Sequence, residues 1–305
     1  IDSVLVQMIS HCFGTLNSLY SQALYCGIKA SASQSKIQLS EALFFNYFFE
    51  HGIKVVPPPR FSGERGELVG AYVRQPSPGK HLFVTCNDFA SLYPSTIITC
   101  NLSIENYLGS VGEGVFTEKD LEDFRKDPNY FVSVNGSVYK NDKEYAFKAI
   151  QKQLKANRNV GKYLGKEMEA TVLDDVIQLM EGHTPKEQTY SERVVEDLKK
   201  LGLNITCTSS IDVKNLQEIR SILEDEVLYY SSYEQACKLL GNSMYGGSSH
   251  VAFAWFNMQL ANDITGEARN LIHKMEKEVP EWFEKNWKEA TWLHEKLGIK
   301  LKNGL

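Results

Sequence analysis

The spacing of apolar residues predicts helices over most of the chain. Over residues 2–25 the apolar positions recur every three or four residues, which predicts one long helix. A second predicted helix begins with Ser40 as its N-cap and closes at Gly52, since a serine hydroxyl and a glycine are typical of those two ends. Residues 81–86 form a short apolar run with β-branched and aromatic side chains, which predicts a buried strand.

Two long helices are predicted further along. The first covers residues 143–180, is interrupted only by Gly161 and Gly165, and is followed by a looser segment to about residue 210. The second covers residues 213–245, and together they form an antiparallel hairpin. Other predicted elements are a short helix over 117–125 capped by Thr117, a β-hairpin at Asn135-Gly136, and helices over 257–279 and 280–298.

Composition and charge limit the class of protein. The 305 residues suffice for two or three domains, and 43% hydrophobic with 23% charged residues is ordinary for a globular protein. There is no apolar run near the ~18 residues of a membrane span, no signal-peptide pattern, and no metal-site spacing among the six cysteines. We therefore expect a cytoplasmic protein with reduced thiols. The formal net charge of −5 argues mildly against a nucleic-acid partner.

A candidate site begins at Asp88, directly after the predicted strand. An acidic residue at that position would lie at an edge of the sheet, where it could hold a metal ion. Pro94 prevents the strand from continuing, and the predicted turn over 91–95 offers backbone N–H groups and hydroxyls. A carboxylate, a carbonyl and such N–H groups together suit a metal-bound triphosphate. By spacing alone, an Asp that caps a turn explains the pattern equally well.

A basic stripe follows one face of the predicted helix over 143–180. At about 100° per residue its cations fall within an arc of roughly 120°. They are Lys148, Lys152, Lys155, Arg158, Lys162 and Lys166. A solvated helix face is the common explanation for one isolated stripe, but such faces usually mix signs. Because acidic residues are nearly absent here, an external anion such as a triphosphate would balance the stripe.

The end of the second long helix carries another polar face. Lys238, Asn242 and Tyr245 lie at i, i+4 and i+7 and therefore share a side of the helix. A lysine suits phosphate, a tyrosine ring offers a flat surface to a base pair, and Gly246 lets a ligand approach the backbone closely. A plain helix end with a terminal glycine explains Gly246 but not the shared face.

Three of these stretches resemble sequences of family B DNA polymerases. The run Asp-Phe-Ala-Ser-Leu-Tyr-Pro-Ser over 88–95 is similar to the first palm motif. The run Lys238-x-x-x-Asn242-Ser243-x-Tyr245-Gly246 is similar to the fingers motif, and Asn157-Arg158-x-x-x-Lys162 to the triphosphate-binding pair on the other fingers helix. The resemblance covers residues 2–279 and points to the tailed-phage replicative branch.

The resemblance implies a role for each matching residue. Asp88, with the Phe89 carbonyl, would bind two Mg²⁺ ions, and Tyr93 would contact the sugar and select deoxynucleotides. The backbone N–H groups of Ser91 and Leu92 would hold the dNTP. The remaining implied contacts are Arg158, Lys162, Lys238 and Asn242 to the dNTP, Tyr245 and Gly246 to the nascent base pair, and Gly70 and Ala71 to DNA.

The resemblance also implies an architecture. The expected fold is α+β, with a partial polymerase palm (a short sheet with packed helices) plus a long antiparallel two-helix fingers hairpin. The expected parts are a helical connector and start of the palm (1–80), the palm with the first metal-binding motif (81–142), the fingers (143–246), and palm helices truncated before the second catalytic carboxylate motif (247–305).

Some features of the family are absent from the sequence. The Tyr-Gly-Asp-Thr-Asp motif, the proofreading carboxylates and the thumb are missing, and Leu68 replaces the connector tyrosine. We therefore expect part of a DNA-directed DNA polymerase, which transfers dNMP from dNTP to a primer 3′-OH on primer-template DNA by a two-metal mechanism. It would act in the host cytoplasm if phage-encoded, and would be inactive without a second polypeptide or missing C-terminal part that supplies the motif and thumb. The alternative is a non-catalytic dNTP- or DNA-binding module derived from a polymerase.

Overall fold

The structure of the protein, a computed structural model, describes residues 2–12, 14–54, 66–80 and 88–298. Within these ranges the fold is α+β, mostly helical with one three-stranded antiparallel sheet, which confirms the predicted class. The helices are α1 (Asp2–Cys12), α2 (Thr15–Cys26), α3 (Lys36–Glu50), α4 (Leu92–Cys100), α5 (Glu118–Lys126), α6 (Ala146–Met168), α7 (Asp174–Met180), α8 (Glu192–Lys200), α9 (Leu216–Ser248), α10 (Met258–Asn286) and α11 (Thr291–Leu297). The strands are β1 (Tyr107–Ser110), β2 (Tyr130–Val132) and β3 (Ser137–Lys140). The predicted strand over 81–86 lies outside the described residues.

The prediction of one helix over 2–25 is wrong, because the helix breaks at Gly14. α1 ends at Cys12, and Gly14 has φ 57° and ψ 28° as the N-cap of α2. Glycine enters this left-handed region at no steric cost. The apolar spacing continues across the break, so periodicity alone does not reveal it.

The predicted start of α3 is also wrong. Ser35 is the N-cap, and its Oγ accepts the Gln38 N–H at 3.3 Å. Ser40 lies inside the helix, where its hydroxyl donates back to the Lys36 carbonyl at 2.8 Å. The predicted end is confirmed, since the Gly52 N–H donates to a carbonyl of the last turn.

The sheet has the order β1-β3-β2, and its hairpin is the predicted one. Phe131 pairs with Tyr139 across β2 and β3, and Gly136 has φ 78° in the connecting turn. The four-residue β1, which the sequence analysis did not predict, pairs with β3 through an irregular register. The buried Asp263 of α10 accepts hydrogen bonds from Tyr139 Oη at 2.6 Å and Ser133 Oγ at 2.9 Å, so it ties the sheet to that helix. The predicted cap Thr117 is confirmed, because it begins α5 with a capping box.

Two long helical segments pack against each other. α6 continues through a π-helical turn over Glu169–Leu173 into α7, so the helix prediction over 143–180 is confirmed from Ala146 onward. α9 runs antiparallel to α6, because Gln151 bonds Gly241 whereas Gly165, further along α6, faces Tyr230. Gly161 lies at a close contact between the two helices: a Cβ on it would lie 3.2 Å from the Tyr230 carbonyl oxygen.

The segment predicted to be loose up to residue 210 contains a helix. Ser191 caps α8 by accepting the Val194 N–H at 3.4 Å, and Val194 and Leu198 are buried. The i, i+4 spacing of those two apolar residues behind a serine is a usable signal that the sequence prediction overlooked.

The prediction of a helix boundary at Pro280 is wrong. α10 continues through Pro280 to Asn286 before the chain turns into α11. The proline is exposed, so water can satisfy the carbonyl that loses its helical N–H partner.

Apolar side chains form two separate clusters. The proximal core joins α3, α4, the first half of α6, the end of α9 and the start of α10, and includes Leu39, Phe44, Ile97, Phe147, Leu240 and Ile264. The distal core joins the end of α6, α7, α8 and the first half of α9, and includes Met168, Val176, Leu198 and Leu223. Among the described helices, none combines the length and hydropathy of a membrane span.

Candidate nucleotide-binding cleft

The segment after Asp88 ends in a helix N-terminus. Asp88 is exposed, and Ser91, the N-cap of α4, is left-handed with φ 54° and ψ 54°, which costs a non-glycine residue about 1–2 kcal/mol. Pro94 lies in the first turn of α4, where a missing N–H removes no helical hydrogen bond. The prediction of a plain turn over 91–95 is therefore wrong. No described side chain caps α4, so its first N–H groups are available to a ligand.

A cleft of about 370 Å³ lies between this segment, α6 and α9. Its lining residues are Asp88, Ala90, Ser91 and Pro94, then Gln151, Leu154, Lys155 and Arg158 of α6, and Cys237, Lys238, Gly241 and Asn242 of α9. The cleft thus brings together five of the predicted site residues, which are far apart in sequence: Asp88, Ser91, Arg158, Lys238 and Asn242.

Arg158 connects all three walls of the cleft. Its Nη1 donates to Ser91 Oγ at 3.3 Å, and its Nε donates to Glu234 Oε1 at 3.0 Å. The side chains of Arg158 and Glu234 are 28% and 24% exposed, so their ion pair is largely shielded from water. The guanidinium is therefore held at the cleft by α9 and by the start of α4.

Tyr93 and Tyr245, the two tyrosines predicted to contact the ligand, do not line the cleft but face each other. The rings of Tyr93 and Tyr245 have their centroids 4.6 Å apart and are inclined by 45°. Both rings are partly buried, and burial, followed by the neighbouring Tyr93, raises the pKa of Tyr245. Gly246 follows with open space beside its Cα.

The other predicted site residues lie elsewhere. Phe89 and Leu92 are partly buried and do not line the cleft, and Lys162 is exposed one turn beyond Arg158. Gly70 and Ala71 do not line the cleft, and Gly70 lies beside α10, where Arg269 Nη1 donates to its carbonyl at 2.6 Å.

Sequence analysis assigned no individual ligand contact to three residues in or beside the cleft. Lys155 lines the cleft, although it was noticed only as a member of the basic stripe. Gln151 Nε2 donates to the Gly241 carbonyl at 2.8 Å and so fixes α9 against α6 beside the cleft. Glu234 lies four residues before Lys238, and this spacing on one face was its only sequence signal.

Burial raises the pKa of the lining thiol Cys237 to about 12, which keeps it neutral.

The acidic residues do not complete a metal site. Asp88 is the one carboxylate among the described lining residues. Across the described part of the chain, no three His, Cys, Asp or Glu side chains converge to hold a metal ion. These residues therefore do not by themselves fit the pair of Mg²⁺ ions that the resemblance implies. The open helix N-terminus and the three cations Lys155, Arg158 and Lys238 instead give the cleft a local excess of positive charge, whose chemistry suits an anion.

The chain is similar to known DNA polymerases over most of its length. It is 24% identical over 288 residues to the DNA-directed DNA polymerase of Escherichia phage RB69 and 25% identical over 276 residues to that of Enterobacteria phage T4. A 78-residue stretch, 26% of this chain and 10% of the relative, is 37% identical to the DNA polymerase of Archaeoglobus fulgidus. No protein-family model matches the sequence.

The fold is similar to a solved polymerase as well. The structure of the family B DNA polymerase from the hyperthermophilic archaeon Pyrobaculum calidifontis superimposes with a TM-score of 0.52 at 17% identity, covering 96% of this chain and 33% of that chain. The phage alignments cover 88% and 87% of this chain but 29% of each relative. The resemblance inferred from the motifs is thus confirmed: the chain is a partial match to family B DNA polymerases and spans less than a third of its phage relatives.

Proposed function

We propose that the chain forms the dNTP-binding part of a template-dependent DNA polymerase. The observation that carries this proposal is the cleft, in which Asp88, Arg158 and Lys238 meet although the first and last belong to motifs about 150 residues apart. Phosphoryl transfer depends mainly on positioning and charge neutralisation, and the lining residues supply groups for both.

The triphosphate would occupy the cleft at the start of α4. The N–H groups of Ser91 and Leu92 would donate to its oxygens, and Arg158 and Lys238 would neutralise it from the two helices. Asn242 would complete these dNTP contacts, and Lys162 would join them if α6 moved toward α4. Tyr93 would then lie under the sugar, with Tyr245 and Gly246 beside the nascent base pair. Gly70 and Ala71 would contact DNA along α10.

This chain would supply only some of the metal ligands. Two Mg²⁺ ions, when bound, would stabilise the attacking and leaving oxygens, and this chain offers them the Asp88 carboxylate and the Phe89 carbonyl. The second carboxylate motif and the thumb would come from a second polypeptide or from the remainder of a longer polymerase. Residues 143–246 would be the fingers, between palm segments at 81–142 and 247–305 and after the connector at 1–80. The assembled enzyme would work on DNA in the host cytoplasm.

A second candidate function follows from the single lining carboxylate. A chain that binds dNTP or DNA but never receives the second motif would be a non-catalytic module derived from a polymerase. The two functions predict the same binding and different synthesis.

Nucleotide binding is the first test. Fluorescence anisotropy would follow a labelled dATP in titrations with the wild type, Lys238→Ala and, as matched control, Lys166→Ala, which removes a lysine of the same stripe that does not line the cleft. A charge-assisted contact is worth about 1.5 kcal/mol or more, so Lys238→Ala should weaken binding roughly tenfold or more. Equal loss in both variants would show that general charge, not the cleft, attracts the nucleotide.

Primer extension separates the two functions. The chain would be mixed with a segment of a phage relative that carries the missing motif, with Asp88→Asn as the control. Synthesis that the control abolishes would establish the polymerase function. Binding of dATP without synthesis in the mixture would establish the non-catalytic module.

A further inference from the structure

Glu234 is an acidic residue directed at the main phosphate-binding candidate. It lies on α9, one turn before Lys238, and accepts from Arg158 Nε at 3.0 Å. Arg158 also donates from Nη1 to Ser91 Oγ. Neither the implied roles nor the cleft lining accounts for Glu234, although it is the acidic residue that neutralises this guanidinium.

We infer that Glu234 is an internal counter-ion that occupies Arg158 until a triphosphate displaces it, and so weakens nucleotide binding. This inference rests on the proposed dNTP site. Lys155 and Lys238 line the same cleft, and within the described residues neither has an acidic partner at ion-pair distance. An incoming anion must therefore compete with Glu234 for Arg158, whereas it can bind Lys155 and Lys238 without displacing an acidic side chain.

The competition depends on which part of Arg158 the ligand uses. Arg158 donates its Nε to the carboxylate, so a phosphate at the Nε edge must displace Glu234, and a phosphate at the Nη1/Nη2 edge meets a guanidinium that Glu234 already neutralises. A triphosphate can reach Lys155, Lys238 and the α4 N-terminus at once, so it can displace the carboxylate at a net gain and bears the full cost of breaking the ion pair. A monophosphate reaches fewer of these cations, and the ion pair costs it no more than it costs the triphosphate.

The test compares dATP, dADP and dAMP binding to the wild type, Glu234→Gln and Glu224→Gln. The glutamine keeps the shape and an oxygen acceptor but removes the charge. Glu224 is the matched control, since it pairs with Arg220 at 2.8 Å on the same helix, where both side chains are exposed. We expect Glu234→Gln to tighten dATP binding roughly two- to fivefold, which corresponds to the cost of breaking a partly exposed ion pair, and to tighten dADP and dAMP binding by no more than that. Glu224→Gln should change none of them.

A second readout does not require nucleotide. Phenylglyoxal modifies accessible arginines, and peptide mass spectrometry would measure its rate at Arg158 in each protein. Faster modification in Glu234→Gln, with Glu224→Gln unchanged, supports the counter-ion. Unchanged or weaker dATP binding in Glu234→Gln would overturn it and would make Glu234 a residue that only positions Arg158. If the wild type binds no nucleotide while the modification rates differ, the ion pair stands and the proposed dNTP site fails.

Discussion

Replacing Gly161 with alanine should separate the two long helices and destabilise the protein. A Cβ at this position would lie 3.1 Å from Tyr233 Cδ1, 3.2 Å from the Tyr230 carbonyl oxygen and 3.3 Å from the Glu234 nitrogen. Two of these three atoms are backbone, so they cannot rotate away. α9 must therefore shift by a few tenths of an ångström at the segment that carries Glu234.

The magnitude follows from two opposing effects. Alanine is favoured over glycine inside a helix by about 1 kcal/mol, while overpacking a close interface costs about 1–3 kcal/mol. The expected net effect is a loss of about 1 kcal/mol in the free energy of unfolding. Gly246 is the matched control, because it also lies in α9 and a Cβ there would meet nothing within 4 Å. Gly246→Ala should gain up to about 1 kcal/mol.

Urea unfolding followed by circular dichroism at the helical band would measure both changes. The midpoint of Gly161→Ala should fall and that of Gly246→Ala should rise, at the same slope with denaturant. A Gly161→Ala protein as stable as Gly246→Ala would refute the close approach of α6 and α9 and, with it, the geometry of the Arg158–Glu234 pair.

Three further predictions concern the cleft, the sheet and the distal core. Lys155→Ala should weaken dATP binding about tenfold and Lys162→Ala much less in anisotropy titrations, because only the first lysine lines the cleft. Burial raises the pKa of Asp263 above its ordinary 3.8, so as pH rises the carboxyl stays protonated to a higher pH in the folded chain than in the unfolded one. The free energy of unfolding should therefore fall as pH rises through the raised pKa. Asp263→Asn should flatten that fall in urea titrations at successive pH values. Ser191→Ala should cost the α8 cap about 1 kcal/mol, measured as faster amide exchange in α8 with little change in the proximal core.

Periodic and local signals predicted much of the fold. The long helical segments, the Asn135-Gly136 hairpin and the Thr117 cap rest on contacts within a few residues, and the structure has them. α4 was missed because Pro94 was taken as a stop, although a proline in the first helical turn is tolerated. β1 was missed because its four residues are set by pairing with β3 and carry no alternating pattern of their own.

The site was predictable in its parts but not in its assembly. The stripe on α6 spans too wide an arc to show which cations face α9, and only the packed helices place Lys155 in the cleft and Lys162 outside it. The pairing of Arg158 with Glu234 joins two helices that are distant in sequence, so no local pattern contains it. The motif resemblance supplied the connection between Asp88 and Lys238 that periodicity could not.

Local charge, rather than net charge, decides whether this chain can hold a nucleotide. The formal net charge of −5 argued mildly against a polyanionic ligand. The described cleft lining nevertheless sets Lys155, Arg158 and Lys238 against the single carboxylate of Asp88, and the dipole of α4 adds partial positive charge at the same place. Charges elsewhere on the surface are largely screened beyond about 8–10 Å in physiological salt, so the acidic remainder of the chain contributes little there. Glu234 lowers the local excess of positive charge by one, which is why its removal, more than any change in net charge elsewhere, should strengthen nucleotide binding.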